Sequence, residues 1–190
     1  KYYKCFRRRF KKNPRQKILQ ASIVFASFHG NDVTSLLADK KEIEGTLPDQ
    51  VDQLQTLFKL LLPVPSTVQG FKRVETPEIP LNVLRELIVN AVVHRDYSVR
   101  TRKIMIQLFQ DRLVISSPGR IANTLDLEKI KVGNSAPRNM LILKFMDNLR
   151  YIDGLGRGIP MVIREMGSRV HFEEIGYEFR VTLYRKSDSP

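Results

Sequence analysis

Two strand-like runs of the sequence lie so close together that they must pair as an antiparallel hairpin. Apolar residues run through 104–109 and again through 113–115, with Gln110 and Asp111 at the turn between them. A connection this short joins antiparallel neighbours, because parallel strands need a crossover of about a dozen residues. The chain therefore contains a sheet with at least one antiparallel pair.

Apolar residues at helical spacing predict helices on both sides of this hairpin. The helices are expected from about Pro48 to the prolines at 63 and 65, from Pro80 to about Val93, and at about 137–149 and 159–166. Further strands are expected at 18–28, 41–44, 170–174 and 177–183, and 116–124 is expected to be a loop. This order predicts an α+β fold, a two-layer sandwich in which a mixed sheet carries helices on one face.

The positive charge of the chain is concentrated at its start. Of the formal net charge of +12, residues 1–17 contribute +9, with aromatic side chains interleaved and no acidic residue. Such a basic arm can bind nucleic-acid phosphates while its aromatics stack on bases, or it can be a solvated junction between domains. If the arm binds DNA, the contacts are expected from Arg7, Arg8, Arg9, Lys11 and Lys12.

Several classes of protein are excluded by what the sequence lacks. The single cysteine allows no disulfide framework, and no apolar run approaches the roughly 18 residues of a membrane span, so a cytoplasmic protein without a membrane partner is expected. No GxxxxGK followed by Ser or Thr occurs, so the chain encodes no P-loop helicase motor. His94-Arg95-Asp96 has the order of a kinase catalytic loop, but Thr101 stands where that loop requires Asn.

The helix expected at 80–93 carries two polar residues that suit a hydrolytic site. Glu86 and Asn90 are four residues apart, so they project from one face. A carboxylate there can orient or deprotonate a water, and an amide oxygen can ligate Mg²⁺. The alternative is a solvent-facing polar pair. His94 is expected to place positive charge at the helix C-terminus.

A glycine-rich segment precedes the helix expected at 159–166. Gly154, Gly156 and Gly158 could let backbone N–H groups approach a phosphate at the helix start. The spacing is not GxGxxG, which disfavours a Rossmann dinucleotide site. The alternative is a turn that only caps the helix.

Three motifs together resemble a known family. They are Glu86-Leu-Ile-Val-Asn-Ala-Val-Val-His-Arg-Asp-Tyr-Ser98, Ser116-Ser-Pro-Gly119 and Gly154-Leu-Gly-Arg-Gly-Ile159. In this order and spacing they resemble the GHKL-like ATPase domain of RecG-related "ATP-dependent DNA helicase" C-terminal regions, which are also described as transcriptional regulators. The resemblance extends from about Ile18 to Leu183.

The resemblance implies a Bergerat-type sandwich that binds ATP and Mg²⁺. It implies that Glu86 is the water-activating catalytic carboxylate and that Asn90 ligates Mg²⁺. Nucleotide contacts are implied for Asn90, His94, Asp96, Ser117, Gly119, Gly154, Gly156 and Gly158. It further implies a mobile lid between Thr124 and Asp153, DNA as a partner through the basic arm or flanking domains, and a homodimer.

The sequence departs from the family pattern in its first glycine box. Ser117 stands where the family has the Asp that binds adenine, and Ile121 replaces a glycine. Two functions therefore stay open: an ATP- and Mg²⁺-binding regulatory domain with slow hydrolysis, or a nucleotide-free interaction or nucleic-acid-binding module on the same scaffold. The expected organisation is a basic arm at 1–17, the ATPase-like domain at 18–186 and a tail at 187–190.

Overall fold

The structure is a computed structural model that describes residues 21–64, 66–69, 71–75, 77–122, 125–152 and 155–186. Its strands are β1 (Ile23–Phe28), β2 (Leu37–Ile43), β3 (Ser66–Gln69), β4 (Lys72–Glu75), β5 (Ile104–Leu108), β6 (Arg112–Pro118), β7 (Val170–Ile175) and β8 (Glu178–Tyr184). Its helices are α1 (Leu47–Leu61), α2 (Leu81–His94), α3 (Leu127–Lys131), α4 (Met140–Asn148) and α5 (Gly158–Met166), the last followed by a 3₁₀ turn at Gly167–Arg169.

The described strands form one large sheet and one separate hairpin. The large sheet has six strands in the order β2-β1-β5-β6-β8-β7, and β3 pairs only with β4. β1 and β5 are parallel, whereas the other neighbours in the large sheet are antiparallel. The predicted mixed sheet and α+β class are confirmed.

One face of the sheet is covered by helices. Along β5, Ile104 and Ile106 are buried, whereas Met105 between them is 40% exposed. Since successive side chains of a strand point to opposite faces, the core lies on the side of Ile106. Its antiparallel partner on β6 is Ile115, which is also buried. The predicted two-layer arrangement follows from this one-sided burial.

Helix α2 is the central element of the helical layer. Eight of its 14 residues are buried, and it contacts α1, α4, α5 and strand β6. Pro80 is its N-cap residue rather than its first helical residue. Glu86 and Asn90 are not among these buried residues. They lie on the side of α2 that is turned toward the segments that follow β6.

Helix α1 begins with a capping box that the sequence carries locally. The Thr46 side chain accepts a hydrogen bond from the Asp49 N–H, and the Asp49 carboxylate accepts one from the Thr46 N–H. Two of the backbone donors at the helix start are thereby satisfied. This helix packs against α2 and lies within one or two residues of its predicted bounds.

Three local predictions were wrong or incomplete. The loop expected from 116 is still strand β6 as far as Pro118, because Ser116 and Ser117 pair with Arg180 and Phe179 of β8. The β3–β4 hairpin and the short α3 were not expected. The second half of the expected lid is α4, whose Ile142 and Met146 are part of the hydrophobic core.

Among the described helices, none is long and apolar enough to cross a bilayer.

Candidate functional site

A cavity of about 130 Å³ lies between α2 and the sheet. The α2 residues that line it fall along one strip of the helix and are Glu86, Leu87, Asn90, Ala91 and His94. The sheet contributes Ile115, Ser117, Phe179 and Val181. The remaining walls come from residues 120–122, the 125–138 segment and the start of α5. The lining is mostly apolar, with polar groups at a few defined places.

Glu86 and Asn90 meet inside this cavity. The Asn90 amide Nδ2 donates a hydrogen bond of 2.9 Å to Glu86 Oε1. This bond uses the amide nitrogen, so the amide oxygen is the atom of Asn90 that can ligate a cation. The structure thus places the predicted carboxylate and the predicted Mg²⁺ ligand side by side, as the one-turn spacing indicates.

Gly158 lies directly against Glu86. A Cβ at position 158 would overlap the Glu86 carboxylate, so a larger residue there would displace this side chain from its present position. Gly158 is also the first residue of α5, whose N-terminus has no side-chain cap. Backbone N–H groups at this helix start therefore adjoin the carboxylate–amide pair.

Gly156 lies against the turn that follows α3. Its φ of +73° lies in the left-handed region, and a Cβ there would collide with the Gly133 carbonyl oxygen. Gly133 also has a positive φ, of +97°. The two glycines therefore hold the turn after α3 against the glycine-rich segment. Gly154, the remaining predicted glycine, lies outside the described residues, as does the basic arm with Arg7, Arg8, Arg9, Lys11 and Lys12.

Ser117 lines the cavity from β6 and is itself buried. Its hydroxyl donates a hydrogen bond of 2.9 Å to the Ala91 carbonyl oxygen on α2. Because a hydroxyl has a single hydrogen, Ser117 Oγ can only accept a hydrogen bond from a bound molecule. Ile121, the other departure from the family pattern, is also part of the lining.

Asp96 and Gly119 were expected to contact the nucleotide, but neither lines the cavity. The Asp96 carboxylate accepts hydrogen bonds from the Ser98 N–H and hydroxyl and from the Tyr177 hydroxyl, and these bonds hold its pKa below the usual range. Gly119, with a φ of +118°, lets the end of β6 approach Asp96 closely. In this structure both residues position the loop after α2.

Arg95 stabilises the same loop from inside the core. It is 1% exposed and donates hydrogen bonds to the carbonyl oxygens of Val99 and Arg102. Its guanidinium lies 4.7 Å from the centre of the Tyr97 ring, a cation–π contact. The loop that follows the site helix is therefore held by fixed contacts.

Two residues that sequence reasoning missed bind the C-terminus of α2. Asn139 Nδ2 donates to the carbonyl oxygens of Val93 and Arg95, at 2.8 Å each. Arg138 donates to the His94 carbonyl oxygen and, at 3.5 Å, pairs with Asp96. These contacts join the segment before α4 to the site helix. The one local sequence signal for these contacts is Asn139 at the start of α4.

In the part of the chain that the structure describes, no three His, Cys, Asp or Glu side chains come together as a metal site. A cation here would therefore depend on Asn90 and on oxygen atoms that a ligand brings.

Comparison with known proteins agrees with the resemblance. Residues 101–183 match the family described as "Putative ATP-dependent DNA helicase recG C-terminal". This segment, less than half of the chain, is similar to the RecG C-terminal, ATPase-like domain. The matched segment contains Ser117, Gly156 and Gly158, whereas Glu86 and Asn90 precede it on α2.

A solved structure shares the fold of this chain. The DIP2311 protein from Corynebacterium diphtheriae superposes on 93% of this chain with a TM-score of 0.76 and 22% sequence identity. This chain covers 35% of that protein, about a third of its length. At this identity the likeness shows the fold alone. No curated protein sequence matches the chain.

His94 lines the cavity from the last turn of α2. Burial, with repulsion from Arg138, lowers its pKa to about 4 from an ordinary value of 6.5. The expected positive charge at the end of α2 is therefore wrong for His94. That place is taken by the guanidinium of Arg138 and the amide of Asn139, which bond the helix carbonyls directly.

The lowered pKa of His94 predicts a loss of stability in acid. Between about pH 6.5 and 4 the unfolded chain protonates this histidine and the folded chain does not. The free energy of unfolding should therefore fall with decreasing pH in this window, by up to about 3 kcal/mol at pH 4, and be unaffected above it. Denaturant unfolding at several pH values from 4 to 7 should show that the free energy of unfolding depends less steeply on pH in His94→Gln than in wild type. An equal pH dependence in the two proteins would contradict the burial of His94.

Proposed function

We propose that the cavity binds ATP together with Mg²⁺ and that the domain reports nucleotide occupancy to the rest of the protein as a regulatory domain. The observation that carries this proposal is the meeting of Glu86, Asn90 and Gly158 in a mostly apolar cavity. Apolar walls suit a planar base, and the polar cluster suits a charged phosphate chain.

The walls of the cavity fit a purine base. The apolar side chains that line it come from the sheet and from the segments after β6, and are Ile115, Ile121, Leu125, Ile130, Phe179 and Val181. Ser117 Oγ offers an acceptor for an amino group, although without the charge of the family's Asp. A neutral acceptor gives roughly half the strength of a charged one. We therefore expect weaker base selection than in relatives with Asp.

The polar side of the cavity fits phosphates and a cation. Gly156 and Gly158 adjoin the N-terminus of α5, where backbone N–H groups and the helix dipole favour an anion. Mg²⁺ prefers oxygen and keeps several waters, so the Asn90 amide oxygen with phosphate oxygens meets its needs without a cluster of acidic residues. A bound Mg²⁺ would neutralise charge on the phosphate oxygens.

Glu86 is the residue that suits slow hydrolysis. Its carboxylate lies beside the amide that would hold the cation and against the start of α5. There it can orient a water and accept the proton that the water releases on attack. The regulatory role requires only that nucleotide binds. Hydrolysis by Glu86 is a separate property.

The regulatory part of the proposal rests on how the cavity walls are connected. The segment with α3 has no buried residue in that helix, yet it lines the cavity and continues into Arg138 and Asn139. Those two side chains bind the end of α2. A nucleotide that draws this segment inward would also shift α2 against its neighbours. We propose that flanking nucleic-acid-binding parts, including residues 1–17, respond to that shift.

Calorimetric titration of the chain tests the proposal. An ATP analogue that resists hydrolysis should bind saturably in the presence of Mg²⁺, and more weakly when the metal is chelated. GTP should bind with similar affinity to ATP if Ser117 selects the base only weakly. An absence of heat with either nucleotide would favour the alternative, a scaffold that has lost nucleotide binding and serves only as an interaction module.

A further inference from the structure

A second depression adjoins the cavity, and we call it the arginine groove. Its volume is about 970 Å³, and it shares Glu86, Gly156 and Gly158 with the cavity. The groove lies between α2 and α5, and it is also lined by residues 150–152 and 155–157 of the connection between α4 and α5. Four arginines line it, namely Arg85, Arg150, Arg157 and Arg164.

Three arginines of the groove, Arg85, Arg150 and Arg164, differ from most others in the fold. Eight arginines elsewhere in the described chain donate side-chain hydrogen bonds to fixed partners, namely Arg95, Arg102, Arg112, Arg120, Arg138, Arg169, Arg180 and Arg185. Within the described residues, no ion pair or side-chain hydrogen bond involves Arg85 or Arg150. Arg164 is 76% exposed and approaches only Glu165, at 4.0 Å. These three guanidinium groups are thus available to a ligand.

The arrangement of charge in the groove suits a chain of phosphates. Arg157 is the N-cap residue of α5 and Arg164 lies in its last turn, seven residues later, so the two lie on one side of the helix. Arg85 faces the groove from α2, next to Glu86. Among the described residues, the acidic groups that line it are Glu86 and Asp147, against four arginines. Several arginines along one groove match several phosphates, because each guanidinium can bind a phosphate with paired hydrogen bonds.

We propose that the arginine groove binds the phosphate chain of the nucleotide whose base occupies the cavity, and that Arg85, Arg150 and Arg164 make binding depend on the number of phosphates. This inference rests on the proposed function. The shared residues Glu86, Gly156 and Gly158 form the boundary between cavity and groove, so a ligand can extend from one into the other.

The variant that tests the groove is Arg85→Ala combined with Arg164→Ala. Both side chains are exposed, so the double variant should unfold at the wild-type temperature. The matched control is Arg100→Ala, which removes an exposed arginine that does not line the groove. Each protein is titrated with inorganic triphosphate, which has no base, and with adenosine, AMP, ADP and ATP.

Wild type and Arg100→Ala should bind triphosphate with a salt-dependent affinity, and affinity should rise from AMP to ADP to ATP. The double variant should lose about tenfold in affinity for triphosphate and ATP, the effect of two exposed charge pairs, and should bind adenosine as wild type does. In the double variant, the increase in affinity from AMP to ATP should be smaller than in wild type.

The outcomes separate the groove from the proposed function. Binding of adenosine without binding of triphosphate, or equal losses in the double variant and Arg100→Ala, would overturn the groove proposal and leave the cavity intact. Binding of triphosphate with loss in the double variant, but no binding of adenosine, would support the groove and count against the nucleotide function of the cavity.

Discussion

Replacing Gly156 by alanine should cost the domain about 2–5 kcal/mol of folding free energy. Two separate terms make up this loss. The φ of +73° is unfavourable for any residue with a Cβ, and the new methyl group would also meet the Gly133 carbonyl oxygen. That oxygen is backbone, so the clash cannot be relieved by turning a side chain. The turn after α3 and the glycine-rich segment would have to move apart.

The control for this variant is Gly176→Ala in the β7–β8 turn. Gly176 has a similar φ, of +60°, but a Cβ there would have no neighbour within 4 Å. Only the backbone term remains, so a loss of about 1–2 kcal/mol is expected. Denaturant unfolding of both variants measures the difference. Equal losses would show that the Gly133–Gly156 contact does not hold the cavity wall in place.

Replacing Asn90 by alanine should remove the part of nucleotide affinity that depends on Mg²⁺. The variant should bind an ATP analogue at least about tenfold more weakly than wild type when Mg²⁺ is present, and equally when the metal is chelated. The physical reason is that the amide oxygen of Asn90 is the protein ligand proposed for the cation. The lost hydrogen bond to Glu86 should change the free energy of unfolding by only about 1 kcal/mol.

Asn82→Ala on the same helix is the matched control. Asn82 is exposed at the first turn of α2 and donates a 2.7 Å hydrogen bond to Glu165, so its replacement also breaks an Asn–Glu pair. Asn82 does not line the cavity, so the nucleotide affinity of Asn82→Ala should keep its full dependence on Mg²⁺. An Asn90→Ala protein with unchanged affinity in Mg²⁺ would contradict the metal assignment.

Features encoded by local periodicity could be predicted from the sequence. Helices α1 and α2 lie close to their predicted bounds, because apolar spacing and flanking prolines mark both of them. The spacing of Glu86 and Asn90 was enough to place both on one strip of α2, and the structure shows that strip lining a cavity. The α+β class followed from the order of strands and helices.

Features that depend on distant partners could not be predicted in this way. Ser116 and Ser117 are polar residues beside a Pro-Gly pair, and only their pairing with β8 makes them strand. Asp96 resembled a ligand-binding residue, but its carboxylate bonds Tyr177, 81 positions later in the sequence. The lowered pKa of His94 likewise depends on burial by segments remote in sequence and on Arg138.

The most direct test of nucleotide binding is an NMR titration of the isotope-labelled chain with an Mg²⁺-bound ATP analogue. The reporters are the backbone amides of Gly156 and Gly158 and the side-chain amide of Asn90, with the Gly30 amide as a reference at the other end of the β5–β6 hairpin, where Gly30 accepts a hydrogen bond from Gln110. Saturable shifts of the three site reporters, with Gly30 unchanged, are the predicted result. Unchanged site reporters at millimolar nucleotide would contradict the proposal that this cavity binds ATP.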